Sequence, residues 1–349
     1  MKIAVVRNHA KTDRVISRFG QVCPERYGRS SVNMVLDSLR QAGHVVEVFN
    51  ADTTLLGRLE RFMPPDPATG MPTGLVMNMS YGIQGECRYA HLPAMLEMAG
   101  IPYTGSGPLG HAVALDKVIA KILMLHAGVP TPPFQVMGGP ETEADGLRFP
   151  LVVKPRHEST SFGLRLARDP RELAEAVQTM TAKYRQEALV EEYIDGREVL
   201  APLLGNDPVE CLPLVELDFD ERELRMVTYD DKYHKAVDEP GKICPATVSD
   251  AQAARLRELA RATFRACQCK DYARVDMRID EAGNPSVLEI NSMASLSVNG
   301  SYMLSARTAG YTPASLICRI VDVTHRRYFG DSAGVGAGAA RPKDRKKQA

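Results

Sequence analysis

The sequence predicts an α/β protein that opens with a βαβ unit on a small parallel sheet and continues into two regions of mixed strands and helices. Two observations set this class. The β-like run Ile3–Val6, the helical stretch Ser30–Ala42 closed by Gly43, and the run Val45–Phe49 alternate as β, α, β. Further on, Asp116–Ala127 has apolar residues at 118, 119, 122, 123 and 125 and stops at Gly128 and Pro130, the period and the breakers of a surface helix.

The remaining elements follow in order. Leu75–Met79 reads as a strand, and His91–Ala99 as a helix stopped by Gly100. Pro130–Pro133 marks a linker. Leu151–Val153 (strand), Arg171–Met180 (helix) and Leu189–Tyr193 (strand) come next. From about 197 to 320, strands at Leu212–Leu217, Ala273–Ile279 and Val287–Ile290 surround a helix at Asp250–Cys267. Beyond Gly330 the residues are small and then basic, the composition of a disordered tail.

The chain has 349 residues, which at roughly 100–200 residues per domain suggests two or three domains. With 44% apolar and 25% charged residues it can bury a sizeable core. Lys+Arg and Asp+Glu both number 43, so the overall balance gives no reason to expect nucleic acid or an anionic membrane as a partner. The opening MKIAVVRNHA lacks the pattern of a signal peptide, and no run approaches the ~18 apolar residues of a membrane span. The seven cysteines are scattered, and Cys267 and Cys269 have no second pair nearby to complete a zinc site. A cytoplasmic protein with reduced thiols is expected.

Three groups of residues carry chemistry. Val152–Val153–Lys154–Pro155 is an apolar strand ending in an ammonium, followed by the hydroxyl-rich loop His157–Leu164. Lysine, hydroxyls and loop amides together can cradle phosphate, although a surface lysine before a polar hairpin has the same sequence. Arg274–Val275–Asp276 and Glu289–Ile290–Asn291 lie on two expected strands. Alternation puts Arg274 with Asp276 on one face, and Glu289 with Asn291 on one face. Three oxygen ligands from paired strands suit a hard ion such as Mg²⁺ on a nucleotide; a solvated sheet face is the alternative. The run Leu189 to Glu198 passes from an apolar strand through Gly196, and its edge could read a base through backbone groups or be an ordinary acidic strand and turn.

In this order the motifs resemble the D-alanine–D-alanine ligase family of ATP-grasp enzymes. The resemblance covers nearly everything from Asn78 to Tyr311. It runs through Gly85–Glu86, Leu96–Ser106, Leu115–Asp116–Lys117, Gly128–Pro132, Lys154–Pro155 and its loop, and Gly196–Arg197–Glu198. Lys232–Tyr233, Ala273–Asp276, Glu289–Asn291 and Ala306–Gly310 complete it. It implies an N-terminal domain over 1–112 and two ATP-grasp subdomains over 113–196 and 197–330 clamping the nucleotide, with a tail at 331–349.

The resemblance also implies roles. Lys117 and Lys154 would hold ATP phosphates, under the loop containing Thr160, Ser161 and Gly163. Glu191, with the backbone of Glu192, Tyr193 and Ile194, would read adenine, Leu288 would line the nucleotide site, and Glu198 would hold the ribose. Asp276, Glu289 and Asn291 would hold two Mg²⁺ ions, or Mn²⁺ in their place. Arg274 would stabilise the intermediate's charge, Lys232 and Tyr233 would enter from a neighbouring loop, and the Ser295 N–H would serve an oxyanion. The chemistry would be ATP-driven amide formation between a small carboxylate and an amine through an acyl phosphate, in a protein that could be a homodimer.

The amino-acid side departs from the family pattern. Its usual Gly-Gly…Ser…Glu loop, whose Glu binds the first substrate's ammonium, reads Arg7–Asp13 here with no such Glu. Thr160 stands at the loop serine, and Asn291–Ser292–Met293–Ala294–Ser295–Leu296 replaces Asn-Thr-x-Pro-Gly-Met. Gly300 stands where a serine usually grips the acceptor carboxylate. Substrates other than two D-alanines, in a specialised pathway, are therefore expected. The rivals are a cell-wall D-alanine–D-alanine ligase and a catalytically silent ATP-binding regulator. His9, His157 and His234 fall in loops that the resemblance turns toward substrate, though loop histidines are commonly just solvated.

Overall fold

The computed structural model describes residues 1–8, 23, 25–222, 224–227 and 240–330. Lys232, Tyr233, His9, His234 and the basic tail therefore lie outside the described residues.

The strands are β1 (Lys2–Arg7), β2 (Val45–Asn50), β3 (Gly74–Met79), β4 (Phe134–Met137), β5 (Leu151–Pro155), β6 (Arg165–Ala167), β7 (Ala188–Glu192), β8 (Arg197–Leu204), β9 (Glu210–Cys211), β10 (Val215–Asp218), β11 (Gly241–Ile243), β12 (Tyr272–Ile279) and β13 (Pro285–Asn291). The helices are α1 (Arg29–Gln41), α2 (Leu55–Phe62), α3 (His91–Met98), α4 (Pro108–Leu115), α5 (Lys117–His126), α6 (Pro170–Thr179), α7 (Asp250–Ala266), α8 (Ser301–Thr308) and α9 (Pro313–Phe329).

β1, β2 and β3 form the expected parallel sheet, in the order β2-β1-β3. Both of its faces are covered, as parallel sheets require. Ile3 and Val5 point into a core shared with α1, α9, Tyr272 and Tyr302, while Ala4 and Val6 point into a second core built from α2 and α3. Two antiparallel sheets follow. One has the order β4-β7-β5-β6; the other runs β11-β10-β8-β12-β13, with β9 beside β8.

Several expected elements shift. The strand read as Leu212–Leu217 is β10 at Val215–Asp218, preceded by the short β9. β8, which sequence reading left unassigned, is the partner of both β10 and β12. The stretch before Asp116 is a separate helix, α4, because Asp116 is extended (φ −80°, ψ 96°) and caps α5, accepting from the N–H groups of Val118 and Ile119. That cap is what starts a new helix one residue before Lys117. α5 then packs its Ala120 and Met124 into the core of the six-stranded sheet, beside α7. Cys267 and Cys269 are buried in that same core and unpaired. Burial pushes the Cys269 thiol up to about 12, so it stays an inert, protonated thiol.

Candidate active site

The four-stranded and six-stranded sheets face each other across a cleft of about 470 Å³. Alternation along each strand decides what enters it. On β12, Val275, Met277 and Ile279 face the core, so Arg274, Asp276 and Arg278 face the cleft. On β8, Val199, Ala201 and Leu203 are core and Glu198 and Leu200 line the cleft. Opposite them, β5 turns Leu151 and Val153 inward and Val152 and Lys154 to the cleft, and β7 presents Glu191.

β12 and β13 pair with Arg274 opposite Asn291 and Asp276 opposite Glu289; the register then slips, so that Met277 lies opposite Val287. Leu288 is the extra residue of a β-bulge. Strict alternation would send Leu288 and Glu289 to opposite faces, yet both line the cleft.

The polar contacts tie the expected metal ligands together. Arg274 donates to both Asp276 oxygens, Nε at 2.6 Å and Nη2 at 2.7 Å. Asn291 Nδ2 donates to Asp276 at 2.9 Å and to Glu289 at 3.4 Å. Asp276, Glu289 and the Asn291 amide oxygen are thus a hard-oxygen donor set, the kind Mg²⁺ takes together with phosphate oxygens. Among the described residues no three His, Cys, Asp or Glu side chains group to hold a metal, so two carboxylates and one amide fit an ion that keeps other ligands. Burial alone would make Arg274 easier to deprotonate, but the Asp276 carboxylate outweighs it and raises its pKa.

Across the cleft, Lys117 is the first residue of α5, is buried, and donates to the Glu158 carbonyl. Burial, with the neighbouring Lys154 charge adding to it, lowers its pKa to about 8. Lys154 and Glu191 form a buried pair at 2.5 Å. Burial would raise the Glu191 carboxyl, but Lys121 and Lys154 outweigh it and hold the group below its ordinary range.

Thr160 and Ser161 line the cleft with left-handed backbones, φ 58° and 59°, a conformation that costs a non-glycine residue about 1–2 kcal/mol. Gly163 has φ 81°. A Cβ there would lie 2.8 Å from both Pro155 Cγ and Tyr184 Cζ, so the turn has no room for a side chain.

Part of the backbone of the expected base-reading segment is already paired. The Glu192 and Tyr193 N–H groups are taken by the carbonyls of Pro133 and Pro150. The Glu192 side chain turns away from the cleft to pair with Arg148 at 2.8 Å. The Ile194 carbonyl accepts from Arg278 at 2.9 Å, and Arg278 also meets Glu198, the expected ribose ligand, at 3.0 Å. Apolar walls of Val152, Leu200, Leu217, Met226 and Leu288 complete this end.

His157 is half-buried beside Asp116, with Nε2 3.3 Å from Oδ2, and is not among the residues that line the cleft. Ser295, Ser297 and Gly300 line the other end of the cleft. A Cβ on Gly300 would come within 2.7 Å of Ser297 Oγ, so that hydroxyl fills the space next to the glycine.

Sequence reading missed a buried cluster behind this loop. Glu25, on the segment leading to α1, accepts from Tyr89 and from Ser159 of the cleft wall. Arg88, 2% exposed, holds the His157 carbonyl at 2.8 Å and Glu158 at 3.2 Å, with Glu25 3.8 Å away. The signal was a Pro-Glu-Arg run just before α1, some distance past the Arg7–Asp13 stretch where a carboxylate was sought. His111 on α4 was also missed. It is fully buried, its Nδ1 2.8 Å from Ser292, next to Asn291, and burial lowers its pKa to about 3, which leaves it neutral.

The chain is similar to known proteins in both sequence and fold. The family model for the D-ala D-ala ligase C-terminus matches residues 123–322. A protein of Sinorhizobium fredii (strain NBRC 101917 / NGR234), described as uncharacterized protein y4sG, is 53% identical over 336 residues, 95% of this chain and 99% of its own. The D-alanine–D-alanine ligase of Alcanivorax borkumensis is 34% identical over 300 residues, 84% of this chain and 91% of its own. The crystal structure of the Bacillus anthracis D-alanine–D-alanine ligase complexed with ATP superposes with a TM-score of 0.69 at 20% identity, over 94% of this chain and 98% of that one. The chain therefore belongs to the D-alanine–D-alanine ligase family of ATP-grasp, ADP-forming carbon–nitrogen ligases.

Proposed function

We propose that this protein joins a small carboxylate to an amine at the expense of ATP, through an acyl phosphate, with at least one substrate other than D-alanine. The observation that supports it most is the facing of Lys117 and Lys154 on one wall with Arg274, Asp276 and Glu289 on the other, Asn291 being hydrogen-bonded to both carboxylates. The lysines offset phosphate charge, and Arg274 offsets charge on the reacting carboxylate. Asp276, Glu289 and Asn291 would hold Mg²⁺, which would supply further positive charge against the phosphates. An acyl phosphate makes the carboxyl carbon electrophilic; an amine forms the amide bond there as phosphate leaves.

The substrates follow from the amino-acid end. Glu25, one hydrogen bond behind Ser159, supplies the glutamate that Arg7–Asp13 lacks, which favours a donor carrying an ammonium group. The acceptor end differs: Gly300 offers no hydroxyl, and Ser297 occupies the adjacent space. A missing charged hydrogen bond weakens binding by about 1.5–3 kcal/mol, so an acceptor other than D-alanine is favoured. The buried arginine pair with Asp276 argues against a silent ATP-binding regulator, because a protein that only binds nucleotide has no use for Arg274 at that position.

A cytoplasmic location and a homodimer belong to the same reading. No helix among the described residues is long and apolar enough to cross a membrane. Ile119, Ile122 and Leu125 expose an apolar stripe on α5 that a second copy would cover; a monomer by sedimentation would remove the dimer.

Phosphate release from ATP and Mg²⁺ with pools of D- and L-amino acids and small carboxylates, products identified by mass, is the test. Turnover with a pair other than two D-alanines is expected, with Glu25→Gln raising the donor KM about 10-fold or more. Strong turnover with D-alanine alone, giving its dipeptide, would make this a cell-wall ligase.

A further inference from the structure

Lys121 lies outside the cleft, on α5, one turn beyond Lys117, and is 1% exposed. Its ammonium is fixed from two sides. It donates to Thr131 Oγ1 at 2.5 Å, and the Thr131 hydroxyl donates in turn to the Val287 carbonyl on β13 at 2.8 Å. It also stands 2.8 Å from Glu191 Oε2. Besides this ion pair Oε2 meets no other donor among the described residues, and a carboxylate oxygen has a second lone pair for one. The other oxygen, Oε1, is held by Lys154 from the cleft side at 2.5 Å.

Glu191 is therefore a buried carboxylate between two buried ammonium groups, of which only Lys154 lines the cleft. A nucleotide's phosphates compete with Glu191 for Lys154. Were Lys154 the sole counter-ion, moving it to a phosphate would strand a buried charge, which is strongly unfavourable.

We propose that Lys121 is a positioning residue for the nucleotide: it stays with Glu191 and balances its charge, so that Lys154 can transfer from Glu191 to the phosphates while Glu191 accepts from the amino group of the base. The inference rests on the ATP reading above. Burial pulls the Lys121 pKa down against the raising effect of Glu191, whereas Glu191 outweighs burial at Lys154 and raises it.

The experiment compares the binding of ATP–Mg²⁺ and of adenosine by calorimetry to the full chain, to Lys121→Met and to Lys121→Met/Glu191→Gln. Lys121→Met should lose about 10- to 100-fold in ATP affinity and much less for adenosine, because without phosphates Lys154 remains on Glu191. In the double variant ATP and adenosine should weaken by the same factor, the loss of the base contact, because no buried charge is left to strand. Equal losses for ATP and adenosine in Lys121→Met, or no loss there, overturn the inference and leave Lys121 a packing residue. If Lys121→Met does not fold, the double variant decides: equal losses for ATP and adenosine support the charge-balance role, and a loss confined to ATP overturns it. A wild-type chain that binds no ATP overturns the reading beneath both.

Discussion

At the scale of single residues, the cleft's chemistry depends on charges held away from water. Lys117 is the clearest case. Its pKa near 8 means that above that pH it progressively loses its proton and with it the attraction to phosphate. The sign is therefore a fall in kcat/KM for ATP as pH rises through about 8, a profile that reports the free enzyme. A Lys117→Arg variant, whose guanidinium stays charged, should lose that alkaline limb. A wild-type profile flat to about pH 9.5 would show that burial does not lower the Lys117 pKa or that Lys117 does not contact the phosphates. Asp116 works at the same scale as cap and charge partner. Burial would raise its carboxyl, but hydrogen bonds from His157 and Arg156 outweigh it and hold it well below the carboxylate range, so α5 begins at Lys117 across the working pH range.

At the scale of elements, strands aim side chains and loops close over them. Period-2 alternation on β12 delivers Arg274, Asp276 and Arg278 to one face, and this was legible from sequence because it needs only strand existence. The bulge at Leu288 was not, since an extra residue in one strand shows only when its partner is known. The turn at Gly163 belongs here too. Gly163→Ala must fit a Cβ 2.8 Å from Pro155 and Tyr184 at φ 81°. A loss of about 1–2 kcal/mol from the left-handed backbone alone is expected, together with a weaker grip on ATP as Thr160 and Ser161 shift. Unchanged denaturation and an unchanged ATP Kd would mean the loop adapts freely and is not a preset cradle.

At the scale of the whole molecule, Asp271 joins parts far apart in the chain. Wholly buried at the start of β12, it accepts from the Gly105 N–H at 2.9 Å, Asn206 at 2.9 Å, Thr324 at 2.8 Å, and Arg327 through Nε and Nη2 at 2.9 and 2.7 Å. It ties α9 and the loop between α3 and α4 to the strand that carries Arg274 and Asp276. Asp271→Ala leaves Arg327 without its carboxylate and several buried donors unmet, and should destabilise the fold by about 3–5 kcal/mol in urea denaturation. A loss under ~1 kcal/mol would mean water replaces the carboxylate there.

The sequence by itself determined the class of the fold, the parallel βαβ start, and which residue types could meet phosphate and metal. Those rest on local periods and on motifs short enough to be read along one chain. It misplaced what depends on distant segments meeting. Glu25 and Ser159 are 134 residues apart in sequence yet share a hydrogen bond; Lys121 and Glu191 are on different elements yet share a charge. The Glu192 side chain was turned outward by the same alternation that turned Glu191 in, once β7 was paired between β4 and β5. Only the tertiary structure decides such pairings, because a buried charge is tolerable only beside its partner, and the partner's identity is fixed by how the sheets and helices pack.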